Sequence, residues 1–353
     1  MEEKPLPQVV LMPNDVVSRA IDAVCAGDHL TADHAGAVLA EIMEGRTDPV
    51  QTGAFLIALR AKGETVPELV GLARTMRALA APVSTARQNL VDTAGTGGGP
   101  STFNVSTAAA LIAAGAGCAV AKHGNRSATS KCGSAEVLEA LGVNIELEPE
   151  RVGRCIDEVG FGFMFAPRHH SAMAHVVPAR KALGVRTIFN FLGPLTNPAG
   201  ADRQLLGVAD RHYQETIAEA LVGLGCARAL VGAAEDGLDE ISISARTRVI
   251  EVADGGTSEW FAEPGQFGLA PATLADVTGG TPEENAAAVR GVLAGDPGPR
   301  RDLTLVNAAA AIYVGGLAAD LEEGVAKAAA AVDSGAAAEI LERLVGFSTA
   351  TPA

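Results

Sequence analysis

Short apolar segments alternate with helical segments over most of this 353-residue chain, and this alternation limits the possible folds more than any other feature. Alternating strands and helices are typical of a parallel sheet with helices on both faces, whose ligands lie beyond the carboxyl ends of the strands. We therefore predict an α/β fold with a mainly parallel central sheet flanked by helices. The expected strands are residues 90–94, 119–122, 143–147, 161–165, 205–209 and 229–232.

Residues 14 to about 80 have a different pattern, which predicts consecutive short helices without strands. Asn14, Thr31 and Asp48 are suited to precede the first three helices, because their short polar side chains accept hydrogen bonds from a first helical turn. The apolar faces of these helices predict a small all-helical domain. A further helix is expected over residues 173–183, where it interrupts the alternation of strands and helices.

The composition excludes two classes of partner. Lys and Arg number 27 against 42 Asp and Glu, so the net charge of −15 has the wrong sign for a general nucleic-acid or anionic-membrane surface. Only 4% of the residues are aromatic, which leaves few rings for stacking on bases. We expect no nucleic-acid and no membrane partner, and a phosphate site on this chain must be a local positive region.

The cysteines and the N-terminal sequence predict a cytoplasmic location. The five cysteines are odd in number and form no CxxC pair and no Cys/His cluster, which favours a reducing compartment over disulfides or structural zinc. The first residues lack the charged and then apolar pattern of a secretory signal. The longest apolar run, residues 105–121, is rich in Ala and Gly and is too short to span a membrane.

Residues 122–134 form a polar segment with neither helical nor strand periodicity. The segment contains three cationic side chains (Lys122, Arg126 and Lys131), four hydroxyl groups and two glycines. Such a composition suits a loop that holds a highly charged, oxygen-rich small molecule, and it predicts a polyphosphate ligand. Cys132 lies within the segment, where a small space-filling residue is favoured over a reactive thiol.

A glycine-rich run at residues 95–99 follows an expected strand and precedes an expected helix. In this context backbone N–H groups and a helix N-terminus bind phosphate. The run is neither a dinucleotide-binding fingerprint nor a Walker loop, and a tight structural turn is the alternative. Thr102, Asn104, Ser106 and Thr107 add polar groups at the helix start, where plain N-capping by Asn104 or Ser106 is the alternative.

A pair of acidic residues and one arginine also suggest ligand contacts. The adjacent carboxylates of Asp239 and Glu240 suit Mg²⁺, which takes few protein ligands together with substrate phosphate oxygens. An ordinary acidic surface turn is the alternative for this pair. Arg180 on the interrupting helix could pair with a carboxylate substrate through two hydrogen bonds, and a solvated helix face is the alternative there.

Taken together, these segments closely resemble the anthranilate phosphoribosyltransferases, and the resemblance covers essentially the whole chain. The Lys-His-Gly-Asn-Arg and Asp-Glu elements at this order and separation are highly specific. The segments that carry the resemblance are residues 51–60, 95–107, 122–134, 165–167, 186–198 and 237–242.

The resemblance implies an enzyme that transfers the 5-phosphoribosyl group from phosphoribosyl pyrophosphate to the anthranilate amine, with Mg²⁺, two ions per subunit, as cofactor. It also implies an N-terminal helical domain of residues 1–86, completed by about 173–193. A larger α/β domain of residues 87–172 and 194–353 would bind phosphoribosyl pyrophosphate. Members of the family usually form homodimers through the helical domain, so a homodimer is expected.

The resemblance further assigns site residues, position by position. For anthranilate these are Gly95, Asn125 and Arg180, with His123 and His170 near its path. For Mg²⁺ they are Ser106, Asp239 and Glu240, the two acids mostly on a second ion; no residue is nominated as a general base. For phosphoribosyl pyrophosphate they are Gly95, Gly98, Gly99, Thr102, Asn104, Val105, Ser106, Thr107, Lys122, His123, Gly124, Asn125, Arg126, Ser127, Ala128, Thr129, Ser130 and Ser134.

One departure from the family pattern stands out. The family loop commonly reads Gly-Thr-Gly-Gly-Asp and is one residue longer, whereas here Gly99 and Pro100 follow directly and the Asp is absent. We therefore expect a local rearrangement of the phosphate-binding backbone.

The sequence disfavours two rival functions. A binding protein of the same fold that acts on nucleic acid is disfavoured by the net charge of −15. A pyrimidine nucleoside phosphorylase is disfavoured because its Lys-His-Ser-Thr-Gly-Gly pattern is missing here.

Overall fold

The structure, a computed structural model, describes residues 12–127 and 130–351. The chain divides into two compact units: unit 1 extends to Leu79 and includes Ser171–Phe189, and unit 2 comprises Ala80–His170 and the residues from Asn190 onward. Residues just after Leu79 belong to unit 2 because the N–H of Ala81 donates to the His169 carbonyl oxygen at 2.8 Å.

Many of the α-helices begin after a polar N-cap residue or with a proline in the first turn. In chain order, the α-helices are α1 (Asp15–Cys25), α2 (Ala32–Met43), α3 (Pro49–Lys62), α4 (Val66–Ala78), α5 (Val105–Gly115), α6 (Ser134–Ala140), α7 (Pro149–Val159), α8 (Ala166–His169), α9 (Val177–Leu183), α10 (Phe189–Leu192), α11 (Gln214–Gly223), α12 (Pro282–Leu293), α13 (Pro299–Val314), α14 (Leu321–Asp333) and α15 (Ala336–Thr349).

Unit 1 is a bundle of α1–α4 with α9, in which α1 packs on α3 and α2 packs on α4. The predicted caps are confirmed: Asn14 Oδ1 accepts from the first turn of α1, Thr31 Oγ1 from that of α2 and Asp48 Oδ1 from that of α3. The single helix predicted over residues 173–183 is wrong. A 3₁₀ turn precedes α9 because Pro178 lacks an N–H and fits only the first turn of a helix.

Unit 2 is built on a seven-stranded sheet with the order β3-β2-β1-β4-β5-β6-β7. The first five strands in this order run parallel, and β6 is antiparallel to both of its neighbours, β5 and β7. The predicted mainly parallel sheet is therefore confirmed. The strands are β1 (Val91–Gly95), β2 (Val120–Gly124), β3 (Phe161–Phe165), β4 (Arg203–Gly207), β5 (Arg228–Ala234), β6 (Thr247–Ala253) and β7 (Gly256–Ala262).

The strand predicted at residues 143–147 is wrong. Its alternate residues Val143, Ile145 and Leu147 are buried, as an alternating pattern requires, but the segment joins no strand of the sheet. The backbone N–H of Asn144 instead donates to Ser348 Oγ on α15 at 3.0 Å. Burial against a helix thus satisfies the same apolar pattern as pairing in a sheet.

The core of unit 2 contains two alanine-rich helices, α5 and α13, which pack closely against each other. Residues 108–113 of α5 and 308–312 of α13 are fully buried. The small side chains let helix backbones approach on every side, so the long apolar run of the sequence is a core helix. None of the helices among the described residues is long and apolar enough to cross a membrane.

Candidate active site

The glycine turn, residues 95–99, follows β1 and lies directly against Asp239. A Cβ atom at Gly95 would be 2.2 Å from Asp239 Oδ2, so only glycine fits there. Gly97 and Gly98 have φ angles of 63° and 92°, a region that glycine adopts without strain. The N–H of Gly97 donates to Asp239 Oδ2 at 2.9 Å. The turn therefore combines exposed backbone donors with a fixed carboxylate neighbour.

The shortened end of this turn packs on the segment that precedes the acidic pair. A Cβ atom at Gly99 would lie 2.3 Å from the Gly237 carbonyl oxygen and 3.4 Å from Ala209 Cβ. The Cβ position at Gly237 lies 3.5 Å from Pro100 Cδ. The position where the family pattern has Asp thus has no room for a side chain in this chain.

The side chain of Asn104 ties the start of α5 to two other segments. Asn104 has a left-handed backbone (φ 70°) and makes no side-chain cap to α5, so capping does not account for it. Its Nδ2 donates to the Cys132 carbonyl oxygen at 3.1 Å, and its Oδ1 accepts from Asn285 Nδ2 at 2.8 Å. Asn104 therefore ties the glycine turn to the polar segment and to α12, and Thr107 behind it is buried.

Lys122 carries a buried ammonium in the middle of β2, and the residue is only 2% exposed. Its Nζ donates to the carbonyl oxygen and Oγ1 of Thr93 and lies 3.4 Å from Ser106 Oγ. Burial lowers the pKa of Lys122 to about 8, while the charge of Asp92 opposes this shift. Lys122, a cation predicted to bind a polyphosphate, thus lies behind Ser106 rather than in solvent.

Two histidines lie close together, His123 within β2 and His170 directly after α8. The ring centroids of His123 and His170 are 5.0 Å apart, and His123 Nδ1 lies 3.3 Å from the Gly193 carbonyl oxygen. Burial lowers the pKa of His123 to about 3 and that of His170 to about 4, and their mutual repulsion contributes to the shift at His123. Both imidazoles are therefore neutral at physiological pH.

The polar segment is tied internally through its glycines and hydroxyl groups. A Cβ atom at Gly124 would lie 2.3 Å from Ser134 Oγ, which donates to the Asn125 carbonyl oxygen at 3.3 Å. Ser127 Oγ and Ser130 Oγ are 2.6 Å apart. These contacts shape the loop. The predicted residues Ala128 and Thr129 lie outside the described residues.

Two charged or reactive residues of this segment have defined partners. Arg126 forms an ion pair with Glu139 at 2.6 Å and stacks 5.5 Å from the centre of the Phe165 ring. Cys132 is buried, and burial raises the pKa of its thiol to about 11. A thiol in this state is a weak nucleophile, which agrees with the predicted space-filling role. Lys131 is exposed.

The acidic pair lies beside the glycine turn, and with Ser106 it lines one small cavity at the carboxyl ends of β1 and β4. Glu240 Oε1 accepts from Thr102 Oγ1 at 3.2 Å, whereas its buried Oε2 has no hydrogen-bond partner among the described residues. Burial and the charge of Asp239 raise the pKa of Glu240 well above its usual value. A bound cation would remove this cost, so the pair fits Mg²⁺.

Several residues that position the acidic pair were not found from the sequence. Asn307 on α13 accepts from the N–H of Ile241 at 3.0 Å and donates to its carbonyl oxygen at 3.0 Å. At Gly207, a Cβ atom would lie 1.6 Å from the Asp239 carbonyl oxygen. Gly207 pairs with Gly95 across β1 and β4. Two glycines at the carboxyl ends of two predicted strands are the signal that could have revealed the role of Gly207.

Arg180 belongs to unit 1, where it lies on α9. Its guanidinium stacks 5.3 Å from the centre of the Phe189 ring, and burial lowers its pKa. Among the residues that the structure describes, no carboxylate lies within ion-pair distance of Arg180. Its planar group is therefore free of an internal ion pair.

Comparison with known proteins identifies the class of this fold and site. Residues 18–80 match the helical bundle domain of a glycosyl transferase family, and residues 87–338 match the a/b domain of that family. A glycosyl transferase with both domains is therefore the class that the sequence and the fold define.

Individual relatives narrow this class. An anthranilate phosphoribosyltransferase of Symbiobacterium thermophilum is 52% identical over 326 residues, covering 92% of this chain and 96% of its own. The crystal structure of the Thermus thermophilus enzyme is 46% identical with a TM-score of 0.89, covering 94% and 99% of the two chains. The Saccharomyces cerevisiae enzyme, solved in complex with PRPP and Mg, is 27% identical with a TM-score of 0.87 over 95% and 98%. The chain belongs to the anthranilate phosphoribosyltransferase family.

Proposed function

We propose that this chain transfers the 5-phosphoribosyl group of phosphoribosyl pyrophosphate to the amine of anthranilate and releases pyrophosphate. The chain is accordingly a pentosyltransferase of tryptophan biosynthesis. One observation carries the proposal: Ser106, Asp239 and Glu240 line one cavity at the carboxyl ends of β1 and β4, and the glycine turn lies beside it and donates to Asp239. This is the edge of a parallel sheet where ligands bind.

Phosphoribosyl pyrophosphate is proposed to bind across the glycine turn, the start of α5 and the polar segment. Backbone N–H groups of the turn and the N-terminus of the 11-residue helix α5 are suited to phosphoryl oxygens. Lys122 adds positive charge from behind Ser106. Arg126 would serve the same ligand only after partly leaving Glu139, which makes it a weaker candidate for direct contact.

Mg²⁺ is proposed to be held by Ser106, Asp239 and Glu240, with two ions per subunit. The unpartnered Oε2 of Glu240 among the described residues supports this assignment. When bound, Mg²⁺ neutralises charge on the leaving pyrophosphate. The protein itself then positions the two reactants and stabilises charge that develops as the C1–oxygen bond breaks.

Anthranilate is proposed to be bound through Gly95, Asn125 and Arg180. The guanidinium of Arg180 can take the substrate carboxylate through two parallel hydrogen bonds, since no carboxylate among the described residues pairs with it. The neutral rings of His123 and His170 suit the vicinity of an aromatic amine, because they add no positive charge that would repel a developing cation. The Saccharomyces cerevisiae relative was solved in complex with 4-fluoroanthranilate.

A homodimer through the helical unit and a cytoplasmic location complete the proposal. Val50 and Ile57 are seven residues apart on one face of α3 and are exposed, Val50 by 78%. A second copy that covers this face would remove their apolar surface from water. Light scattering is expected to give twice the chain mass, and a monomeric mass would contradict the dimer. None of the five cysteines forms a disulfide, which suits a reducing compartment.

The experiment that tests the function uses purified protein mixed with anthranilate, phosphoribosyl pyrophosphate and Mg²⁺. Loss of anthranilate fluorescence with stoichiometric release of pyrophosphate is the expected result, and omission of any one component is the control. Absence of turnover in the complete mixture would refute the proposed function and favour a binding protein of the same fold.

A further inference from the structure

The acidic pair accepts hydrogen bonds from the glycine turn and from Thr102, which follows the turn. Asp239 Oδ2 accepts the Gly97 N–H at 2.9 Å, and Glu240 Oε1 accepts the Thr102 hydroxyl at 3.2 Å. Under the proposed function, the glycine turn and Thr102 bind the pyrophosphate group of the substrate. The two carboxylates thus hold donors that the substrate also requires.

These bonds and substrate binding exclude one another. A backbone N–H or a hydroxyl has one hydrogen to donate, so Gly97 and Thr102 cannot serve a carboxylate and a phosphoryl oxygen at full strength together. Negative charge on the acidic pair would also repel an approaching polyanion. Without a cation, the acidic pair therefore competes with pyrophosphate at its own site.

The backbone on the acidic side of this contact has little freedom to move. Gly207 leaves no space below the Asp239 backbone, and Asn307 holds both backbone groups of Ile241. In contrast, the space around Gly97 is open, with no atom within 4 Å of a Cβ placed there. A change at this contact therefore occurs by rotation of the acidic side chains and movement of the turn.

We propose that Asp239 and Glu240 hold the glycine turn closed until a divalent cation takes their oxygens, so that cation binding releases Gly97 and Thr102 for the pyrophosphate group. This inference rests on the proposed function for the identity of the ligand. The acidic pair then has two roles in succession, as an internal substitute for phosphate and as cation ligands. Cation and pyrophosphate bind cooperatively as a consequence.

Calorimetric titration with inorganic pyrophosphate tests the proposal without any turnover. In EDTA, the Asp239→Asn, Glu240→Gln variant is expected to bind pyrophosphate at least about tenfold more tightly than the wild type, because charge and competition are both reduced. With Mg²⁺ the order reverses, since only the wild type gains affinity. Equal or weaker binding by the variant in EDTA would overturn the proposal.

A matched control removes the same two charges elsewhere. Glu283 and Glu284 form an exposed adjacent pair at the start of α12, and glutamine retains the capping-box bond that Glu284 makes. The Glu283→Gln, Glu284→Gln variant is expected to bind pyrophosphate as the wild type does. Tighter binding by this control would attribute the effect to net charge and overturn the proposal. If the first double variant fails to fold, Asp239→Asn alone serves.

Amide hydrogen exchange tests the contact itself. In metal-free protein, Asp239→Ala is expected to speed exchange at Gly97 at least about tenfold. The neighbouring N–H of Thr96, which donates to the Gly207 carbonyl oxygen at 2.9 Å, is the internal control and should not change. Equal exchange at Gly97 in both proteins would refute the closed turn. Both experiments are independent of catalysis, so they can fail while the turnover assay succeeds, and the reverse also holds.

Discussion

Gly99 is the residue at which this chain departs from its family, and its surroundings explain why a side chain is absent. A Cβ atom there would lie 2.3 Å from the Gly237 carbonyl oxygen. Gly99→Ala is therefore expected to displace the turn, to lower the free energy of unfolding by about 1–3 kcal/mol and to raise the KM for phosphoribosyl pyrophosphate at least about tenfold. Steady-state kinetics and urea unfolding measure both effects.

The matched control for this change is Gly346→Ala. No atom outside its own helix turn lies within 4 Å of a Cβ placed at Gly346 on α15, so the variant should keep the wild-type KM. Its free energy of unfolding should stay the same or rise by about 0.5–1 kcal/mol, because Ala favours a helix interior over Gly. An unchanged KM in the Gly99 variant would show that the turn does not bind the donor substrate.

The buried histidines make stability depend on pH at the residue scale. The pKa is lowered to about 3 at His123 and about 4 at His170, whereas the unfolded chain takes up these protons near pH 6.5. Between about pH 6.5 and 4 the unfolded state binds more protons, so the free energy of unfolding falls as the pH is lowered through this range. Each histidine is expected to contribute roughly 1.4 kcal/mol per pH unit.

Urea unfolding at pH 7 and pH 5 measures this slope. The His123→Gln, His170→Gln variant should lose less stability than the wild type over the same interval. The exposed His212, changed to Gln, is the control and should leave the slope unaltered. Equal slopes for the double variant and the wild type would contradict burial of neutral imidazoles.

The chemistry-bearing residues could be predicted individually, but not their supports. Asp239, Glu240, Ser106 and the glycine run have residue types and spacings that indicate phosphate and cation binding. Asn307 has no such signal, because its role comes from a contact with Ile241, 66 positions away in the chain. Long-range hydrogen bonds of this kind are set by tertiary packing and leave no local pattern.

At the scale of elements, local signals predicted helices and parallel strands well. N-cap residues and prolines predicted the starts of α1–α4, and short apolar runs predicted most strands of the parallel sheet. The hairpin of β6 and β7 was not predicted, because most of β7 is exposed at the sheet edge and lacks an apolar pattern. Residues 143–147 showed the opposite error, since burial against α15 produces the alternation of a strand.

Helix α9 is the element on which the acceptor assignment depends. It carries Arg180, whose guanidinium has no carboxylate partner among the described residues. Arg180→Ala is expected to raise the KM for anthranilate at least about 30-fold, since a charge-assisted pair contributes about 2 kcal/mol or more, and to alter the KM for phosphoribosyl pyrophosphate far less. Steady-state kinetics with each substrate varied in turn measures both constants.

Lys181 follows on the same helix and provides the control. Lys181→Ala removes an equal charge from an exposed position and should leave both KM values near those of the wild type. An equal loss for both substrates in the Arg180 variant would refute the assignment of this residue to the anthranilate carboxylate.

At the scale of the whole molecule, this is an acidic protein with one locally positive binding site. The net charge of −15 disfavours polyanions over most of the surface. Within unit 2, the buried ammonium of Lys122, the N-terminus of α5 and the donors of the glycine turn lie beside an acidic pair. A cation between that pair and the substrate is what makes the arrangement favourable.

The most direct test of this account is the Mg²⁺ dependence of turnover in the wild type and in the Asp239→Asn, Glu240→Gln variant. The wild type is expected to require Mg²⁺, and the variant to lose at least about 100-fold in kcat/KM at every Mg²⁺ concentration, because the cation site is gone. The Glu283→Gln, Glu284→Gln control should retain wild-type dependence. A double variant with full activity and unchanged dependence on Mg²⁺ would contradict the account.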